Sequence, residues 1–205
     1  VPARLRMTLV VAAALALAAV VAILLLARDD AEPATGGTGF AGAVRPTNIP
    51  PSEPQGLRDQ DGDPVRLSEF RGRPVVVTFL YTTCEDTCPL TAQQIRGALD
   101  DLGEDVPVLA FSVDPANDTP ERAKRFLLEQ QMTGRMRFML GSRAALQRQW
   151  DAYGIRPQKE DLEHTSSLVI LDTRGRQRIG FPVDQLTPDG LAHDLRALRS
   201  DQAAS

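Results

Sequence analysis

From about Gly56 onward the apolar residues fall into two alternating patterns. Residues 75–81 are apolar at nearly every position, as are 106–113 and, over a shorter length, 137–140. Runs of this kind predict strands buried on both faces of a sheet. Between them, apolar residues recur at three- and four-residue spacing, which predicts amphipathic helices. Ile95, Ala98, Leu99 and Leu102 form one stripe, with Pro89 suited to the first helical position. Ala123, Phe126 and Leu127 form a second, opened by Thr119 as N-cap, Pro120 at the first position and Glu121 in the first turn. Leu146, Trp150 and Tyr153 form a third after Ser142, and Leu191, Leu195 and Leu198 a fourth after Thr187-Pro188. Residues 57–67 read as a short hairpin turning at Asp61-Gly62. Residues 167–172 and 177–181 read as another, around the turn at 173–176.

The resulting order is hairpin, βαβα, βα, ββα. It predicts an α/β domain over 56–202, in which a mainly parallel, mixed sheet is flanked by helices and the last hairpin adds antiparallel edges. The arrangement resembles a thioredoxin-like fold. Two segments precede it. Residues 7–27 are apolar apart from Thr8. At about 1.5 Å per residue they span roughly 30 Å, the thickness of a bilayer core. They predict a retained transmembrane helix, too long for the apolar region of a cleaved secretory signal. Arg4 and Arg6 ahead of it place residues 1–6 in the cytoplasm, and the domain outside, on a single-pass protein of the cell membrane. A cleaved signal would leave the domain outside as well. Residues 28–55 are rich in Gly and Pro and read as a flexible tether. A net charge of −4 without a polybasic block excludes nucleic acid as a partner.

The candidate chemistry sits where the first core strand ends. Tyr81-Thr-Thr-Cys84-Glu-Asp-Thr-Cys88-Pro89 holds both cysteines of the chain, between that strand and a helix N-terminus. Ligand sites of open α/β sheets lie at this position, and a helix N-terminus stabilises a thiolate. Glu85 and Asp86 inside the loop oppose it by like charge. Outside the cytoplasm thiols oxidise readily, and a bridge closing so short a loop adds little stability, so a working pair is favoured over a structural disulfide. His164 lies just ahead of the strand at 167–172, which this topology brings beside the loop. Two thiolates and an imidazole are a soft set that selects Cu(I), and zinc also accepts it. His193 falls on the polar face of the last helix. A thioredoxin-type reductase is the rival reading. Such enzymes separate their cysteines by two residues and place a cis-proline before the facing strand. Here three residues separate Cys84 and Cys88, and Glu163-His164-Thr165-Ser166 occupies the proline's place. A peroxidase lacks support, since no P-x3-T-x2-C pattern surrounds either cysteine.

The stretch from Phe79 through Cys84 and Cys88 to Pro89 resembles the signature of the SCO/SenC family. So do Val113-Asp114-Pro-Ala-Asn-Asp118-Thr-Pro120, His164-Thr165-Ser166 and the approach Leu67-Ser-Glu-Phe-Arg-Gly-Arg-Pro-Val75. One departure is Thr83, where many members carry His. The resemblance implies a thioredoxin-like copper chaperone that helps assemble the copper A centre of cytochrome c oxidase, rather than an enzyme. It implies copper, as Cu(I) or alternatively Cu(II), held by Cys84, Cys88 and His164, with Cys84 and Cys88 also the redox-active, disulfide-forming pair. The implied partners are the copper-bearing oxidase subunit, a copper donor protein and the membrane. Asp114 and Asp118 fall on the family's acidic motif. They are candidates for partner contact, or alternatively a strand end and a helix cap. The alternative function is thiol–disulfide exchange on the target's cysteines without copper transfer.

Overall fold

The computed structural model describes residues 39–46, 48–156 and 167–203. The expected membrane segment, 7–27, and His164 lie outside the described residues. No helix among the described residues is long and apolar enough to cross a membrane.

Among the described residues seven strands form one sheet: β1 (Ala43–Val44), β2 (Leu57–Arg58), β3 (Val75–Leu80), β4 (Val108–Ser112), β5 (Met136–Gly141), β6 (Ser167–Leu171) and β7 (Gln177–Pro182). Their spatial order is β1-β7-β6-β3-β4-β5-β2. β3, β4 and β5 are parallel, and β6, β7, β1 and β2 pair antiparallel at the flanks. Among the described residues the α-helices are α1 (Thr87–Leu102), α2 (Pro120–Glu129), α3 (Arg143–Tyr153) and α4 (Pro188–Ala203). The two central parallel strands, β3 and β4, are buried at every position because helices cover both faces. Val76, Leu80, Val108, Ala110 and Phe138 point to the side of α1, α2 and α4. Val77, Phe79, Leu109 and Phe111 point to α3, where Phe79 lies 5.8 Å from Phe111 and 5.4 Å from Tyr153 between ring centroids.

The two predicted N-caps are present. Thr119 Oγ1 accepts the Arg122 N–H (3.3 Å) and Ser142 Oγ accepts the Ala145 N–H (3.2 Å). The four predicted helical stripes face the core through Ile95, Leu99, Phe126, Leu146, Trp150, Leu191 and Leu195. Three expectations are corrected. First, α1 starts at Thr87, so Pro89 occupies its third position rather than its first. A proline is tolerated anywhere in the first turn, where the backbone N–H has no intrahelical acceptor. Second, the turn at Asp61-Gly62 exists, but its second arm is reduced to one bridge, Arg58 to Pro64, followed by a 3-10 turn over Leu67–Phe70. The Asp59 side chain accepts the N–H groups of Asp61 and Asp63, and Pro64 has no N–H to extend a ladder. β2 pairs instead with β5.

Third, much of the stretch read as tether belongs to the domain. Phe40 is buried, β1 adds to β7, and Glu53 accepts the Leu67 N–H at 3.0 Å. The buried carboxylate of Asp194 on α4 accepts the N–H of Ala41 (2.7 Å) and of Gly42 (2.9 Å). A Cβ at Gly42 would sit 2.5 Å from Ile179, so only glycine allows this approach. Gly and Pro content marked a tether here, while a single phenylalanine and a glycine chosen for fit marked the docking. Asp194→Ala leaves two N–H groups without an acceptor. It is expected to lower stability by about 1–3 kcal/mol and to open residues 39–46 to protease. Urea unfolding and limited proteolysis measure both, and unchanged midpoints and cleavage would show the clamp to be idle.

Candidate metal and thiol site

β3 and β4 end side by side. Leu80 is the register partner of Ser112, and the Val113 N–H donates to the Leu80 carbonyl at 3.0 Å. The cysteine loop leaves from the first strand and the segment carrying Asp114 and Asp118 leaves from the second. β6 runs antiparallel to β3, with Leu168 opposite Thr78. It therefore begins, at Ser167, on the edge where the cysteine loop departs. His164 precedes Ser167 by three positions and lies outside the described residues.

The loop turns into α1 with Asp86 as N-cap, but the Asp86 side chain makes no capping bond. The Cys84 sulfur takes that place, accepting the Cys88 N–H at 3.2 Å. Cys84 is half-buried, and Cys88 is buried in the core on the α1 side. Both are thiols in this structure. Burial pushes the Cys84 thiol up. Hydrogen bonds from the Cys88 and Asp86 N–H groups, the Cys88 side chain and the Tyr81 hydroxyl outweigh burial and hold it below the ordinary value. Burial pushes the Cys88 thiol up strongly, the Tyr81 N–H opposes this, and the charges of Cys84 and Asp118 add to the rise. Glu85 and Asp86 are exposed, so water screens the repulsion expected of them.

Behind the loop sits a buried polar cluster. Asp118 Oδ1 accepts both the Thr82 N–H (2.7 Å) and the Thr82 hydroxyl (2.6 Å), and Oδ2 accepts the Ser112 hydroxyl (2.5 Å). The Ser112 carbonyl accepts the Trp150 indole N–H at 3.0 Å. Asp114 Oδ2 accepts from the Asn117 side chain at 2.8 Å. Both aspartates are only 8% exposed, so their carboxylates are committed to bonds inside the domain. Burial raises the Asp118 carboxyl above the usual range. Tyr81 and Thr82 are functional neighbours that the sequence reading passed over. Their only signal was a hydroxyl-rich run between strand and first cysteine. His193 is exposed, with Nε2 2.9 Å from the Gly39 carbonyl oxygen.

Among the described residues no three His, Cys, Asp or Glu side chains converge to hold a metal ion. The two sulfurs are a donor pair, one presented at the surface and one a helical position behind it. Sulfur donors paired in this way fit a soft monovalent cation far better than a hard one.

A family model described as SCO1/SenC matches residues 50–200. An SCO1 protein homolog of Bacillus subtilis (strain 168) is 38% identical over 77 residues, covering 36% of this chain and 40% of the relative. The alignment thus spans less than half of that curated relative. Among solved structures, copper-bound ScoI of Bradyrhizobium japonicum superposes with a TM-score of 0.60 at 28% identity, covering 73% of this chain and 98% of ScoI. Apo Sco1 of Thermus thermophilus superposes with a TM-score of 0.61 at 27% identity, covering 80% and 99%. The family match extends over most of the chain, cysteine loop included, and these solved relatives share its thioredoxin-like sheet almost end to end; the chain belongs to the SCO1/SenC family.

Proposed function

We propose that this protein is a membrane-anchored copper chaperone that delivers copper to the copper A centre of cytochrome c oxidase outside the cytoplasm. The observation that carries this reading is the Cys84 sulfur capping α1 beside the Cys88 thiol. A helix end that favours negative charge on one sulfur lowers the cost of the deprotonation that thiolate coordination requires. The copper-bound relative from Bradyrhizobium supports copper as the cargo. His164 is the proposed third ligand. Ser167, three residues on, begins β6 on the edge from which the cysteine loop departs, and three residues of chain reach at most about 10–11 Å, which supports that assignment. Transfer follows by ligand exchange: an incoming thiolate of the acceptor subunit binds the cargo, and a sulfur of this protein leaves. A copper donor protein fills the site by the same exchange in reverse. The apolar segment 7–27 serves as the anchor.

The thiol asymmetry favours a second reading as well. Cys84 is partly exposed and its thiol is held below the ordinary value, as suits an attacking thiol, while burial pushes the Cys88 thiol up, as suits a resolving one. Cys84 would attack a target disulfide and release one target thiolate. Cys88 would then displace the second, leaving Cys84–Cys88 oxidised and two target thiols reduced.

Two experiments test these readings. Anaerobic Cu(I) titration of the reduced protein is expected to give one copper with two sulfur ligands and one nitrogen by X-ray absorption. His164→Ala is expected to weaken retention at least about tenfold while sparing dithiol exchange. Unchanged copper stoichiometry and coordination in that variant would remove His164 from the site. For the thiols, iodoacetamide at pH 7 is expected to modify Cys84 at least about tenfold faster than Cys88, with mass mapping of the two adducts as readout. Equal rates would contradict the assigned asymmetry.

A further inference from the structure

Asp118 of the acidic motif reaches the cysteine loop directly through Thr82. We infer that Asp118 and Thr82 form a latch that sets the position of the cysteine loop, with Asp118 as a positioning residue for the thiols. The inference rests on Cys84 and Cys88 being the working pair.

The argument starts from what the loop lacks. Thr82 and Thr83 follow the last residue of β3 closely and precede the first turn of α1, so neither ladder nor helix fixes their backbone. The Cys84 N–H does reach the Tyr81 carbonyl, but at 3.4 Å. By contrast, Asp118 takes the Thr82 N–H and hydroxyl on one oxygen at 2.7 and 2.6 Å. Bonds to a carboxylate are stronger than neutral ones. Its other oxygen is tied to the Ser112 hydroxyl at the end of β4, and the Ser112 carbonyl is tied to Trp150 of α3. Trp150 is wholly buried. A continuous chain of bonds therefore runs from the rigid centre of the domain to the residue two before Cys84. The Asp118 N–H is in turn fixed by the Asp114 carbonyl at 2.9 Å, so the carboxylate is aimed by its own turn.

The loop end of that chain bears on the sulfur. Cys84 caps α1 only while its loop holds the sulfur over the Cys88 N–H. If Thr82 is released, the loop is free to turn away, the Cys84 thiolate loses its donors, and Cys88 loses its cover. A buried carboxylate carries a desolvation cost that a merely structural bond does not need. Its presence here is explained by the need to grip two donors on one loop residue.

The test uses the reduced protein at 25 °C, well below unfolding, with Thr82→Val, Thr82→Ser, Asp118→Asn and Asp118→Ala. Iodoacetamide rates at Cys84 and Cys88 are measured beside the thermal midpoint and Cu(I) retention against a chelator. Thr82→Val keeps the shape and removes the hydroxyl. It is expected to reduce the Cys84-to-Cys88 rate ratio at least threefold, and Thr82→Ser to restore it to within twofold. Asp118→Asn is expected to fall between the parent and Asp118→Ala. Should Asp118→Ala fail to fold, the Val and Ser pair still decides. A ratio unchanged in Thr82→Val, whatever happens to the midpoint, overturns the latch, and so does a loss that Thr82→Ser does not repair. The rate ratio judges the latch with or without metal, so a parent protein that binds no copper would remove the proposed function alone.

Discussion

The parallel pairing of β3 with β4 ends both strands on one edge, with Leu80 opposite Ser112, and every feature of the thiol site follows from that coincidence. The first strand hands its chain to the cysteine loop and the second to the turn carrying Asp118. Because the strands are adjacent, a carboxylate six residues beyond Ser112 reaches a threonine two residues beyond Leu80. Antiparallel β6 on the other side of β3 starts at the same edge. The sheet thus gathers segments far apart in sequence without any of them being structured for the purpose.

The sheet fixes where the loop sits, and burial then makes its two thiols unequal. A helix N-terminus contributes up to about 1 kcal/mol to a nearby anion at an exposed site, and direct N–H bonds add more. Cys84 receives both kinds of help at a half-buried position, and together they outweigh burial and hold its thiol below the ordinary value. Cys88, one turn into the core, lacks a comparable set of donors and keeps its proton. The two acidic residues inside the loop, which oppose a thiolate by like charge in the sequence, are exposed in space. Their side chains stand in water, where a charge at several ångströms is worth about 1 kcal/mol or less.

The sequence could show patterns that repeat along one element. Buried strands 75–81 and 106–113, the four helical stripes and the two hydroxyl caps depend on local periodicity and capping chemistry, and they appear where the periodicity puts them. The position of the thiols at a strand-to-helix junction was legible for the same reason. What was hidden depends on single contacts across the fold. Nothing local marks Asp194 as buried, since a helical aspartate beside a histidine reads as a solvated face, yet it clamps Ala41 and Gly42 from more than 150 positions away. Gly42 looked like one more tether glycine, although its missing Cβ is what lets β1 approach Ile179. Asp118 read as a cap or a contact because its acceptor role is set by Thr82, which carries no periodic signal.

Asp118 and Asp194 share a physical logic. Each is a buried carboxylate that accepts backbone N–H groups from a segment the sheet and helices leave unfixed: Thr82 ahead of the cysteines, Ala41 and Gly42 at the domain's entrance. Burial raises both carboxyls above the ordinary range, and the donors only partly offset it. The fold therefore favours their protonated forms more than the unfolded chain does. That advantage is complete below the unfolded carboxylate pKa, and it is lost as pH rises through the raised folded values. At neutral pH both carboxylates hold their segments at a net electrostatic cost. A neutral side chain would remove the cost, but it would offer fewer acceptor positions than an ionised carboxylate, whose two oxygens supply about four. Asp118 uses three of them, two on a single loop residue. Grip on an irregular segment, through the hydrogen bonds their oxygens accept, is what these buried carboxylates supply.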